Sequence, residues 1–274
     1  MSQNKYNWLV TVLLMLGTIV ILFPLYITVV NAFKTPAETA ASILALPDSL
    51  SFANFNRAIE MTNFFNALGN SVYVTLFTVL FTVLSNSLVA YAIARNMHKK
   101  MYRFLFYYFV SAMFVPFPII MLPIVNQMSS MGLMNLNGLI LLYIVYGLAF
   151  NVFLYTGYIK TIPKELEEAA IVDGCSQWGV FWRIIFPILS PINATVAILT
   201  ALWAWNDFLL PLVILSNRAD QTLPLVQYVF QGQFATNYNL SFASYLMALL
   251  PMIILYLFLQ RYIISGVTQG AIKS

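Results

Sequence analysis

Four long stretches of the chain carry no charged residue: Tyr6 to Ala32, and the intervals between Glu60 and Arg95, between Arg103 and Lys160, and between Asp220 and Arg261. Each has room for a helical span of about 20 residues. The interval from Arg103 to Lys160 holds two spans, because its middle, NQMSSMGLMNLNG, gathers Asn126, Gln127, Ser129, Ser130, Asn135, Asn137 and Gly138, a cluster suited to a tight hairpin outside the membrane. The pattern predicts six helices, near Trp8–Val30, Ala67–Ala94, Phe104–Asn126, Leu139–Ile159, Ile192–Leu215 and Ser244–Ile264. A membrane barrel would alternate apolar and polar residues over roughly ten positions, which these unbroken apolar runs do not. The expected fold is therefore all-α and polytopic, one transmembrane domain over residues 1–274.

Composition agrees. With 61% hydrophobic, 16% aromatic and 8% charged residues, the chain has too little polar surface for a soluble globule. Basic residues near span ends stay in the cytoplasm. Lys5, Arg95, Lys99, Lys100, Arg103, Lys160, Lys164, Arg183, Arg261 and Lys273 fall on one side of the six-span scheme, and only Lys34, Arg57 and Arg218 on the other. Both termini are thus expected to be cytoplasmic. The net charge of +4 is this orientation signal and calls for no nucleic-acid partner. The first apolar run, roughly 23 residues, exceeds the h-region of a secretory signal and reads as an uncleaved anchor.

Between the fourth and fifth spans lies IPKELEEAAIVDGCSQWGVFWRIIFPILSP, residues 162–191, with four of the nine acidic residues. Pro163 suits a first helical turn, and Glu165, Glu167 and Glu168 favour the positive end of a helix dipole. A run from Pro163 to Asp173 makes roughly 16 Å of helix. Gly174 then stands where a left-handed cap needs a residue without a side chain. Ser176 can cap a second helix, Gln177 to Phe186, limited by Pro187 and Pro191. Leu166, Ala169, Ala170 and Asp173 share one face of the first helix, with Glu165, Glu168 and Val172 at its side. A slim, partly acidic helix along the membrane surface suits docking into a partner's groove; a helix lying on lipid is usually basic on its polar face.

Catalytic and metal motifs are missing from the sequence. No glycine is followed by Lys, so there is no phosphate cradle of the GxxxxGK[ST] type, and there is no HExxH or GxSxG. The chain is expected not to be an enzyme. The lone Cys175 reads as a packing residue and His98 as part of a solvated basic loop.

EAAIVDG, nine residues, then IIFP resembles the EAA signature of ABC importer permeases: EAA, three residues, Gly, nine residues, Ile-x-Leu-Pro. Glu168, Ala169, Ala170, Gly174, Ile184 and Pro187 match, and Phe186 stands in place of the usual Leu. The likeness extends through SVYVTLFTVLFTVLSNSLVAYAIAR, VPFPIIMLP, GLMNLNGLILLY, LWAWNDFLLPLVIL and QRYIISGVTQGAIKS, which together look like the second, six-helix permease of maltose-type carbohydrate importers. The resemblance implies a coupling loop over 160–190, with Glu165, Glu168, Ala169, Ala170, Asp173 and Gly174 meeting an ATPase subunit. It implies, as partners, a different permease, two ATPase subunits and an extracytoplasmic solute-binding protein, in a prokaryotic inner membrane. No cofactor is expected on this chain itself; ATP and Mg would sit in the ATPase subunits.

Two further features bear on a pathway. Pro116, Pro118 and Pro123 supply bends in the third span, flexing or static. Asp207, expected toward the outer part of the fifth span, must face protein or water; it is open to a structural hydrogen-bond role, with Asn206 as neighbour, or to a gate role. Trp203 and Trp205 beside it suit a sugar ring or the aromatic belt of a membrane interface. The segment Ser216–Ser244 is long enough to be functional, and contact with the binding protein is the expectation. An ion-coupled carrier working alone would want several intramembrane acids or repeated broken helices, and the spans contain one acid and no clear repeat.

Overall fold

The structure, a computed structural model, describes residues 8–230 and 237–271. Its helices are α1 Trp8–Ala32, α2 Pro36–Ala41, α3 Ala53–Thr62, α4 Phe64–Arg95, α5 Lys100–Ala112, α6 Phe117–Ser130, α7 Leu136–Ile159, α8 Glu165–Val172, α9 Gln177–Ile188, α10 Ser190–Asn206, α11 Leu209–Ile214, α12 Leu223–Gln227 and α13 Tyr238–Ala271. Among the described residues α1, α4 and α7 are each long and apolar enough to cross a membrane. The pairs α5–α6 and α9–α10 reach that standard only jointly, across bends of 106° and 75°. Of the basic residues behind the expected side of the termini, Lys5 and Lys273 lie outside the described residues.

The expected third span, Phe104–Asn126, is therefore two helices. Pro116 adopts an extended backbone, φ −65° and ψ 132°, and neither it nor Pro118 can donate to the preceding turn. The helix stops at Ala112 and restarts at Phe117 in a new direction. The expected fifth span, Ile192–Leu215, is also broken. Pro211 has no N–H for the carbonyl four residues back, which belongs to Asp207, and Asp207 is extended, with ψ 133°. The last helix runs beyond the expected Ser244–Ile264 at both ends.

The hairpin between the third and fourth spans is present. Gly132 has φ +67°, and behind it the Leu133 and Gly132 amides donate to the carbonyls of Met128 and Ser129 at 2.9 and 3.0 Å, closing α6 with a Schellman motif. Asn135 then caps α7, its Oδ1 accepting from the Gly138 amide at 3.1 Å.

Two compact units make up the chain. One comprises residues up to Phe65 with Val226–Pro251. Its α1 exposes apolar side chains from Trp8 to Leu25 and buries only Val30, Asn31 and Ala32. Asn239 ties this unit together, its Nδ2 sharing two protons among the carbonyls of Asn31 and Lys34 and Thr39 Oγ1, all within 3.0 Å. Lys34 is buried, and its Nζ donates to the Ser42 carbonyl at 2.8 Å.

The other unit comprises Asn66–Leu225 and the chain from Met252 onward. Its frame is α4, about 48 Å long at 1.5 Å per residue, running parallel to α7. Near the start of α4, Val74 joins Leu139, Tyr143, Leu210 and Ile214 in one apolar core. Near its end, Ala90 and Ile93 join Val152, Tyr155, Ile159 and Phe181 in a second. At the first end, Asn66 and Asn70 donate to the Ala219 carbonyl; at the other, Arg95 meets the loop after α7.

Candidate functional site

The acidic loop folds much as its residue types dictate. The helix starts at Glu165, with Lys164 at the cap and Pro163 just upstream, not within the first turn as expected. Glu165, Glu167 and Glu168 occupy that turn, where the free amides favour negative charge. At the other end Gly174 has φ +87°. The Cys175 amide donates to the Ala170 carbonyl at 2.9 Å and the Gly174 amide to that of Ile171 at 3.0 Å, so this corner is a second Schellman motif. Ser176 accepts from the Gly179 amide at 3.2 Å and starts α9. The helix continues to Ile188 through a π turn at Phe181–Ile185. Pro187 lacks the donor for the regular ladder, and the Phe186 amide reaches back to the Phe181 carbonyl.

The exposed residues of α8 are Glu165, Leu166, Glu168, Ala169, Ile171 and Val172, with Asp173 and Gly174 exposed at its end. Val172 is 87% exposed. Ala170 is not among them. It is buried in the core with Ile162, Val180 and Phe181, and its small side chain lets α8 lie close against α9. Cys175 packs on the same core.

Glu167 is the residue that the sequence reasoning passed over. It points back to α4, where Arg95 contacts its Oε1 at 2.6 Å through Nε and Nη2. The Tyr91 hydroxyl donates to Oε2 at 2.7 Å, and Arg95 Nη2 also donates to the Ile162 carbonyl at 3.1 Å. With side-chain exposures of 12% and 13%, this pair is shielded from water. It fixes α8 to the end of a long helix. The i, i+3 spacing of Glu167 and Ala170 puts them on one stripe of α8, and only the packing turns that stripe inward.

Asp207 stands at the break between α10 and α11. Its Oδ1 accepts from the Leu209 amide at 3.1 Å, and its Oδ2 from the Leu210 amide at 3.3 Å and the Tyr143 hydroxyl at 2.9 Å. The carboxylate thus caps α11 and ties it to α7. Asn206 is not its partner; that side chain is exposed and donates to the Leu202 carbonyl at 2.7 Å. Trp203 packs edge-on against Tyr143 at 5.0 Å, and Trp205 is buried. Sequence alone named the neighbours along the chain and missed Tyr143, which only the packing of α7 supplies.

Of the segment Ser216–Ser244, residues 231–236, including Ala235, lie outside the described residues. Its first part is anchored by Asn217, which caps the turn Arg218–Asp220, and by the Leu223 amide donating to Ser71 Oγ at 2.8 Å.

The family described as "Binding-protein-dependent transport system inner membrane component" matches residues 86–269 of this chain. The chain is 41% identical over 279 residues to the multiple sugar-binding transport system permease protein MsmG of Streptococcus mutans, covering 99% of each. It is 34% identical to the melibiose/raffinose/stachyose import permease protein MelC of Bacillus subtilis, again over 99% of each. A chain in the crystal structure of a bacterial ABC transporter that imports the acidic polysaccharide alginate has the same fold, with a TM-score of 0.80 at 21% identity, covering 96% of this chain and 98% of that one.

Proposed function

This chain belongs to the family of binding-protein-dependent transport system inner membrane components, and from that premise we infer that it is a permease subunit of an ABC importer for a sugar or oligosaccharide. It forms half of a translocation pathway with a second, different permease. An external solute-binding protein delivers the substrate, and two ATPase subunits, which hold the ATP and Mg, supply the energy. The chain itself carries out no catalysis. The ion-coupled carrier is set aside, because a binding-protein-dependent system takes its substrate from a separate protein.

One observation carries the coupling part of this reading: an exposed, acidic, slender helix is held at both ends. Its end after Val172 is closed by Gly174, and its first turn is tied to α4 by Glu167. Glu165, Glu168, Ala169 and the corner at Asp173 and Gly174 form the face offered to the ATPase, while Ala170 and Glu167 fasten the lever from behind. Asp207, with Trp203, Trp205 and Asn206 nearby, holds the break in the fifth span open at a fixed angle.

The test uses the complex assembled from all its subunits. Ala169→Arg places a long cation on the docking face and loses the ATPase subunit on purification. Gly174→Val meets left-handed strain of about 1–2 kcal/mol, keeps the subunit, and transports little for the ATP it hydrolyses. Normal uptake by both variants at matched expression would overturn the coupling role. Uptake by this chain alone in liposomes would overturn the importer reading.

A further inference from the structure

Between the two apolar cores of the α4–α7 pair lies a buried polar seam that neither core explains. Thr75, Thr78, Thr82 and Asn86 follow one another at helical spacing along α4, with exposures of 8%, 0%, 0% and 0%. On α7, Asn151 is 3% exposed, and Gly147 faces the same place. A Cβ on Gly147 would lie 3.1 Å from Asn151 Nδ2, 3.8 Å from Asn86 Nδ2 and 4.0 Å from Thr82 Cγ2. Three side chains from two helices thus converge on this glycine, whose missing side chain lets the Asn151 amide lie close against the α7 backbone.

Among the described residues, the hydroxyls of Thr75, Thr78 and Thr82 and the Nδ2 groups of Asn86 and Asn151 have no hydrogen-bond partner. That is unusual, since buried polar groups are nearly always paired. It is also not forced by the helix. Thr18, Thr28, Thr62, Ser85 and Thr195 all donate to the carbonyl four residues back, and the three seam threonines do not. Ser85 Oγ shares its one proton between the Phe81 carbonyl at 2.6 Å and Asn86 Oδ1 at 3.1 Å, and the Asn86 NH2 at the other end of that amide is the unpartnered group.

We propose that this seam binds a file of internal water molecules running from Thr75 to the Asn86–Gly147–Asn151 junction. The chemistry favours water over a metal cation. Two unpartnered amide NH2 groups meet at this junction and would repel a cation, whereas water accepts from an amide and exchanges bonds in either direction with a hydroxyl. Each such water needs two to four polar partners, and the seam supplies them in consecutive helical turns. Globular proteins hold about one buried water per 27 residues, so a chain of this length has room for about ten.

The test turns on the sign of a stability change. Valine has the shape of threonine, so replacing a dry, unsatisfied hydroxyl removes a desolvation penalty and stabilises, while replacing a hydrated one strands its water and destabilises. Thr78→Val and Thr82→Val are made in the complete importer in lipid nanodiscs, with Thr82→Ser as the variant that keeps the hydroxyl. A hydrated seam lowers the unfolding midpoint by about 2–4 °C for each valine, and serine restores most of the loss at position 82. A midpoint that stays put or rises with valine overturns the proposal. So does a cryo-EM map that resolves ordered water elsewhere in the importer and has none within hydrogen-bond distance of Thr78, Thr82 or Asn86.

Discussion

Glu167→Ala removes the acid that ties α8 to α4, and the structure sets the scale of the loss. Breaking a fully buried ion pair by truncating one partner costs about 3–5 kcal/mol. The residual exposure of 12% and 13% and the bond that Arg95 keeps to the Ile162 carbonyl bring this to about 2–3 kcal/mol. At about 1.4 kcal/mol per tenfold, the equilibrium constant for docking α8 on α4 falls by about 30- to 150-fold. Hydrogen exchange is the direct assay: amides in 165–172 of the assembled complex should exchange at least about 30-fold faster, with α4 unaffected above Tyr91. Transport per ATP hydrolysed should fall, because closure of the ATPase subunits would then move α8 without moving α4. Arg95→Ala should have a similar effect, and the double variant should be far from additive. Unchanged exchange in 165–172 together with unchanged transport per ATP in Glu167→Ala would refute the reasoning.

Three further outcomes are expected. Asp207→Asn weakens the capping bonds to the Leu209 and Leu210 amides and the bond from Tyr143, costing about 1–2 kcal/mol; thermal unfolding of the complex should show the loss, and transport per folded complex should be unchanged if the role is structural. Glu38 accepts from the Thr35 amide and hydroxyl and from the Asp48 amide, and those bonds, the Thr35 amide foremost, lower its carboxyl from 4.5 to about 2. A depressed folded value stabilises above the unfolded one, so the advantage of the native protein over Glu38→Gln should be full above about pH 5 and fade as pH falls from 4.5 toward about 2. Ser216→Cys, made with Cys175→Ser, should react with an impermeant maleimide added outside the cell and be protected by the loaded binding protein; labelling from the cytoplasmic side alone would reverse the topology.

Local chemistry left a plain trace in the sequence. Charge-free intervals marked where helices of spanning length lie, because lipid tolerates few charges and no unpaired backbone. The corner at Gly174 and the cap at Ser176 were legible because capping is decided by three or four adjacent residues. The break between α5 and α6 was written in Pro116 and Pro118, but prolines announce a lost hydrogen bond and not the size of the bend that follows, and 106° at α5–α6 depends on what each half packs against; the break at Asp207 went unread. Tertiary structure alone decided the pairings. Glu165, Glu167 and Glu168 are equivalent by composition, and only the position of Arg95 and Tyr91, more than 70 residues earlier, turns Glu167 inward and leaves its neighbours exposed. Asp207 likewise finds Tyr143, 64 residues away, and not the adjacent Asn206. Helical caps draw on atoms within one turn, whereas a side chain's partner is whatever the packing of another helix brings within 3 Å, and that distance is set by the fold.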